Sequence, residues 1–284
     1  MPDHSCDARL VEPVSNANGG AVLSVTKGQN HGDTAPRSEA ATVDATVRVT
    51  VLRQEPTTEA SPQPREESWD VPFTETTTVL DALTWIKDHA DPSLTFRWSC
   101  RSAVCGSCGV MVNGQARLGC ETFVSGYATS GVRVTPMDHA EVQRDLAVDH
   151  SGFVEKMASL KPWMMPEPHQ DVLAELASMH TQSPSQAAEY AHLSQCIGCG
   201  LCLAACPVLA EVSEFVGPAA IATAQRWDKD SRDSGAEQRF ELMVDNEFGI
   251  WPCTQEMHCT RVCPQGVDPA ATIIALQRNA LTGM

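Results

Sequence analysis

Positive charge is scarce in this 284-residue sequence: 20 Lys and Arg stand against 36 Asp and Glu, a formal net charge of −16. Holding a nucleic-acid backbone depends mainly on clustered basic side chains, so no nucleic-acid partner is expected. No leader segment is expected either. "MPDHSCDARLVEP" has neither a basic region nor an apolar run, and Asp3, Asp7 and Glu12 against Arg9 are the wrong balance for a mitochondrial transit sequence. With no mark of export, the 12 cysteines read as thiols in a reducing compartment rather than as disulfides. A transmembrane segment is lacking too: the charge-free stretch from Tyr190 to Ala210 is about long enough, but its four cysteines, glycines and proline are poor residues to face lipid. Any work at a membrane therefore needs an anchor from a partner. Neither a catalytic triad nor a carboxylate pair stands out, so no catalytic residue is expected on this chain.

What is present divides into three stretches. Residues 1–44 are rich in Ala, Ser, Thr, Asn and Gly without a sustained period, the pattern of a flexible tail, and Cys6 lies there away from the other thiols. Residues 45–140 read as a compact α+β unit. "TVRVTVLRQ" (46–54) alternates as a strand and "SWDVPF" (68–73) is its partner across a Pro- and Glu-rich loop. A helix follows, with Thr78 and Asp81 as a capping box and Val79, Leu83 and Ile86 as its apolar stripe. Asn113-Gly114 marks a type I′ hairpin, and "GVRVTP" (131–136) is a further strand. Residues 141–284 read as helical, with Ser183-Pro184 and Asp268-Pro269 as helix starts. Trp85, Trp163 and most methionines read as core or docking surface.

The chemistry lies in the cysteines. Cys100, Cys105 and Cys108 are spaced C-x4-C-x2-C with Cys120 beyond the hairpin, the pattern of plant-type [2Fe–2S] ligation. A tight loop supplies three thiolates and the strand after the hairpin returns the fourth, with Gly106 and Gly109 letting the backbone approach the sulfurs. Zinc sites usually pair two short Cys knuckles across a longer loop, which this is not.

"CIGCGLCLAACP" (196–207) is the C-x2-C-x2-C-x3-C-P run in which the fourth cysteine ligates a different cluster from the first three. Such crossing requires a second run, and "CTQEMHCTRVCP" (253–264) aligns with the first without a gap. Cys263 then completes a [4Fe–4S] set with Cys196, Cys199 and Cys202. The other set has only Cys206, Cys253 and Cys259, because Glu256 stands where the second cysteine would be. Three thiolates suit a [3Fe–4S] cluster; the Glu256 carboxylate is the one donor there that could hold a fourth iron. His258, beside Cys259, is either a hydrogen-bond donor or proton relay at that cluster, or an exposed ring on a loop.

Over residues 46–280 the chain resembles the iron–sulfur subunit of succinate dehydrogenase and fumarate reductase, through "DPSLTFRWSCRSAVCGSCG", "RDLAVD", "GPAAIATAQRWDKDSRD" and "CPQGVDPAA". That resemblance implies a plant-type ferredoxin (β-grasp) domain followed by an all-α, bacterial-ferredoxin-like two-cluster domain. It also implies a flavoprotein partner with FAD and the dicarboxylate site, and a membrane anchor with quinone, on the cytoplasmic face of a bacterial inner membrane. The clusters would pass single electrons between flavin and quinone, each of which exchanges two. "CGLCLAACP" and Thr254 look like the menaquinone-linked branch, since ubiquinone-linked members usually have His at the latter position. Pro207, Thr254 and Gln277 are the residues implied near quinone. Two departures, Glu211 in place of a family tryptophan and Gln277 in place of a lysine, imply a low-potential quinone held mostly within the anchor. The alternative is a soluble iron–sulfur adaptor of a reductase that uses no quinone.

Overall fold

The computed structural model describes residues 45–55, 63–165 and 180–283, with the two-residue strands Val14–Ser15 and Ala21–Val22 paired to each other ahead of them. The rest of the expected tail, Cys6 included, lies outside the described residues. Strand β1 (Thr46–Arg53) alternates as its sequence requires, with Val47, Val49 and Val51 wholly buried. Its partner β2 (Arg65–Pro72) pairs antiparallel from Thr46↔Pro72 to Arg53↔Arg65. The strand starts before the expected Ser68, because the end of β1 carries a buried arginine that needs partners. Arg53 donates to Glu67, Asp91, Asp145 and Ser93, and Glu67 reaches it from the polar first turn of β2.

Helix α1 (Val79–His89) opens with the expected capping box: the Asp81 amide donates to Thr78 Oγ1 at 3.1 Å and the Thr78 amide to Asp81 Oδ2 at 3.1 Å. It lays Val79, Ala82, Leu83 and Ile86 on the sheet. Strands β3 (Gly109–Val112) and β4 (Gln115–Leu118) form the hairpin, with Asn113 at φ +48 and Gly114 at φ +78 as a type I′ turn demands. Strand β5 (Val132–Thr135) runs parallel to β1 and antiparallel to β3, giving the sheet order β2-β1-β5-β3-β4. All four residues of β3 are buried: Val110 and Val112 pack with α1, and Met111 packs on the other face with Leu201 and Ala204 of the helical half. A strand covered on both faces has no polar side, so its sequence does not alternate.

A short ladder of β6 (Val142–Arg144) and β7 (Ala147–Val148) falls past residue 140, where helices were expected. It is too short to show a period, and tertiary contacts hold it: Leu146 and Val148 enter different cores, and Asp145 takes the Arg53 guanidinium. Beyond it the chain is helical. At the centre lies α2 (Pro218–Asp228), burying Ala219, Ala220, Ile221, Ala222 and Ala224. The last helix, Pro269–Thr282, packs against it and starts where Asp268 accepts the Ala271 amide at 3.0 Å. The charge-free stretch is broken into short turns, among them Leu193–Gln195, Leu201–Ala204 and Val208–Glu211. Among the described residues, no helix is long and apolar enough to cross a membrane.

Candidate metal centres

The loop after α1 is built to present amides to sulfur. Arg101, Ala103 and Gly106 have φ of +58, +57 and +72, and each left-handed step turns neighbouring N–H groups inward. Cys100 Sγ accepts from the amides of Ser102 (3.4 Å), Val104 (3.4 Å) and Cys105 (3.3 Å). Cys105 Sγ accepts from Cys100 (3.4 Å), Cys120 Sγ from Ala103 (3.3 Å), and Cys108 Sγ from Cys120 (3.4 Å). The four expected thiols are therefore one cluster of side chains, tied to one another through main chain. The Ser102 amide leads the hydrogen bonds that bring the Cys100 thiol down to about 6. Burial pushes Cys108 up to about 12. A metal cation reverses such burial penalties, because a coordinating thiol is deprotonated outright.

The seven cysteines of the helical half sort into two groups. Burial raises Cys199 to about 11, and the like charges near it are Cys196 and Cys263. Burial likewise raises Cys259 to about 11, with Cys206 and Cys253 as its neighbours. Cys206 is raised by burial and by Cys253. Half-buried Cys202, its thiol raised by desolvation, feels Cys199, Cys196 and Cys263 from its own group and Cys259 from the other, so the two groups adjoin. The last cysteine of each run has thus crossed to the other run's group. Cys196, Cys199, Cys202 and Cys263 line one cavity, whose wall includes Ala219 and Ala222 of α2. Side chains no larger than a methyl group leave room there that a Leu or Ile would fill.

The two runs also share a backbone. Gly198 and Gly200, two and four residues after Cys196, have φ of +62 and +78; Gln255 and Met257, at the same offsets from Cys253, have φ of +62 and +59. In each run the amide at the first of these positions, Gly198 or Gln255, lowers the preceding cysteine against burial. The geometry costs Gln255 and Met257 roughly 1 kcal/mol or more each, since left-handed backbone is strained for residues with a Cβ. Sequence reasoning passed over both, because glycine is the usual signal of that conformation.

The remaining expected residues fall around the third group. Cys206, Cys253 and Cys259 open onto a cavity lined also by Pro207, Thr254, Glu256 and His258. Those four side chains belong to exposed residues. Gln277 is different: at 9 % exposure it donates to the Ile250 carbonyl at 2.8 Å and accepts from Gln255 Nε2 at 2.8 Å. Its amide is spent on holding the loop that carries Cys253. Of the tryptophans, Trp85 packs on the core and Trp163 is 48 % exposed.

The donor sets suit iron–sulfur cages: soft thiolates in groups of four, four and three, met by amide N–H groups and closed in by apolar walls. Comparison with known proteins agrees. The family model described as "2Fe-2S iron-sulfur cluster binding domain" matches residues 48–155, and that described as "4Fe-4S dicluster domain" matches 192–267. The fumarate reductase iron–sulfur subunit of Mycobacterium tuberculosis is 44% identical over 232 residues, covering 82% of this chain and 90% of that one. Its counterpart in Escherichia coli O157:H7 is 42% identical over 229 residues, 80% of this chain and 90% of that one. A mitochondrial succinate dehydrogenase [ubiquinone] iron–sulfur subunit of Oryza sativa is 37% identical over 200 residues, 70% and 63% respectively. Among solved structures, a chain of the Mycobacterium smegmatis Sdh1 complex in its apo form superimposes with a TM-score of 0.74 at 27% identity, covering 84% of this chain and 97% of that one. The chain belongs to the family of fumarate reductase and succinate dehydrogenase iron–sulfur subunits.

Proposed function

We propose that this chain is the electron-relay subunit of a succinate:quinone oxidoreductase, passing single electrons between the FAD of a flavoprotein partner and a membrane quinone. The observation that carries the proposal is the crossing of Cys206 and Cys263 between the two cysteine runs of the helical half. Cys100, Cys105, Cys108 and Cys120 would hold a [2Fe–2S] cluster. Cys196, Cys199, Cys202 and Cys263 would hold [4Fe–4S], and Cys206, Cys253 and Cys259 [3Fe–4S], with Glu256 at the unfilled ligand position. When bound, these clusters supply reversible one-electron chemistry between carriers that exchange electrons in pairs. The chain's own part is to hold them in sequence, shield them from water and aim amides at their sulfurs. The first domain spans 45–140 and the helical domain 141–284.

The chain sits peripherally, on the cytoplasmic face of a bacterial inner membrane, and an anchor subunit brings quinone to the third centre. Pro207 and Thr254, exposed and bordering that centre, support this reading as the residues that would face the anchor, whereas Gln277 acts from inside. Thr254 supports menaquinone as the acceptor.

The test is purification of the native complex from membranes. A flavoprotein and an anchor that travel with the chain, with quinone-linked succinate or fumarate turnover, are the expected result. A chain found only in the soluble fraction, working without quinone, would overturn the proposal in favour of a soluble adaptor. Ligation is tested separately: Cys263→Ser is expected to disturb the EPR signal of the four-iron cluster and Cys206→Ser that of the three-iron cluster. The reverse assignment would refute the crossing.

A further inference from the structure

The loop of the first cysteine group meets the helical half at two places where neither of the residues concerned, Gly106 and Gln265, is itself a proposed ligand. Gly106 lies against Cys199: a Cβ placed on it would fall 2.6 Å from Cys199 Cβ and 2.8 Å from Cys199 Cα. Gln265 Nε2 donates to the Ala103 carbonyl at 2.8 Å. Ala103 in turn donates its amide to Cys120 Sγ at 3.3 Å, and Gln265 follows Cys263 by two residues.

We propose that Gln265 and Gly106 are positioning residues that set the electronic coupling between the first and second clusters. The proposal rests on the ligand assignment above, with Cys120 on [2Fe–2S] and Cys199 and Cys263 on [4Fe–4S]. Gln265 closes one route: Cys120 Sγ, the Ala103 peptide, the Gln265 amide, then covalent bonds through Pro264 to Cys263. Gly106 closes the other by seating the residue after Cys105 on the backbone of Cys199. Hydrogen bonds and close contacts carry tunnelling electrons far better than gaps, so both routes shorten the effective path. The step itself is balanced simply: one electron leaves the first cluster and arrives at the second, with no bond made or broken and no proton moved. Gln265 is half-buried and Gly106 sits at φ +72, so the seam is ordered by side-chain hydrogen bonding on one side and by the absence of a side chain on the other.

The experiment uses the assembled complex carrying Gln265→Leu, which removes the donor, and separately Gly106→Ala, which pushes the loops apart. Laser-flash photoreduction at the flavoprotein end follows electron arrival at the later clusters, and EPR of the fully reduced complex reads cluster content and the magnetic broadening between the first two clusters. Transfer is read per molecule carrying both signals. The expected result is both clusters present, weakened broadening, and transfer slower by about tenfold, the loss typical of outer-shell partners of metal ligands. Transfer and broadening equal to wild type in Gln265→Leu, with both clusters present, would overturn the inference and leave the proposed function standing. If Gly106→Ala does not assemble, Gln265→Leu decides alone. Loss of the [4Fe–4S] signal in Cys120→Ser, with [2Fe–2S] intact, would instead defeat the ligand assignment beneath it.

Discussion

Arg239 and Asp233, their side chains wholly buried, form an ion pair in the helical half. The same guanidinium donates to Asp228 and to the Trp163 carbonyl at 3.2 Å, and Asp233 accepts the Met165 amide at 2.8 Å. One arginine thus pins the 161–165 segment to α2 and to the helix Ala236–Val244 on which it lies.

Arg239→Ala leaves two buried carboxylates without their cation. The expected loss is about 3–5 kcal/mol, the usual effect of removing one partner from a buried pair. Unfolding followed through the visible absorbance of the clusters checks it; a loss below about 1 kcal/mol, the level of an exposed ion pair, would contradict it.

Asp228 makes the helical half pH-sensitive. Burial pushes it up to about 6, aided by the like charge of Asp233 and opposed by Arg239. The folded protein therefore keeps a proton that the unfolded chain releases near 3.8. The stability this group contributes is full below that value and is lost as pH rises through about 6. Asp228→Asn is expected to flatten the fall in melting temperature across that window, and an unchanged slope would rule the assignment out.

Gln277→Leu strands the buried Ile250 carbonyl and takes the acceptor from the exposed Gln255 side chain. The expected cost is about 1–3 kcal/mol, with a shifted EPR line shape for the three-iron cluster because the Cys253 loop loses its clamp. Gln277→Glu keeps an acceptor for Gln255 but sets a buried carboxylate against the Ile250 carbonyl, so it is expected to lose at least as much.

Glu256→Cys restores the second cysteine of the run, making "CTQCMHC" match "CIGCGLC" in ligand spacing. A cube with four irons in place of three is expected at this site. Iron analysis with disappearance of the three-iron EPR signal checks it; persistence of that signal at full intensity would show that position 256 does not reach the open corner.

Much of the site was legible along the chain because cluster ligation is local. Cys100, Cys105 and Cys108 must lie on one loop, and the extra step before Cys206 already implies a second destination. The capping box at Thr78, the helix start at Ser183-Pro184 and the Asn113-Gly114 turn were equally readable, since each depends on residues within a few positions. Less was visible where packing overrides local preference. The polar start of β2 belongs to the sheet because Arg53 is buried beside it. The β6–β7 ladder exists because Leu146 and Val148 fill cores made by distant segments. Gln255 and Met257 adopt the glycine conformation because the cysteine loop imposes it.

By itself, the order of residues determined the family to which the chain belongs and the kinds of cluster it carries, and it supplied the thiol sets proposed for each, because those follow from short-range spacing and chain chemistry. Only the tertiary structure decided that Gly106 rests on Cys199, that Gln265 reaches Ala103, and that Gln277 supports a loop from within. Each of these joins segments remote in sequence, and their meeting depends on how a sheet whose strand β3 is buried on both faces packs against the helical half, which no local pattern encodes.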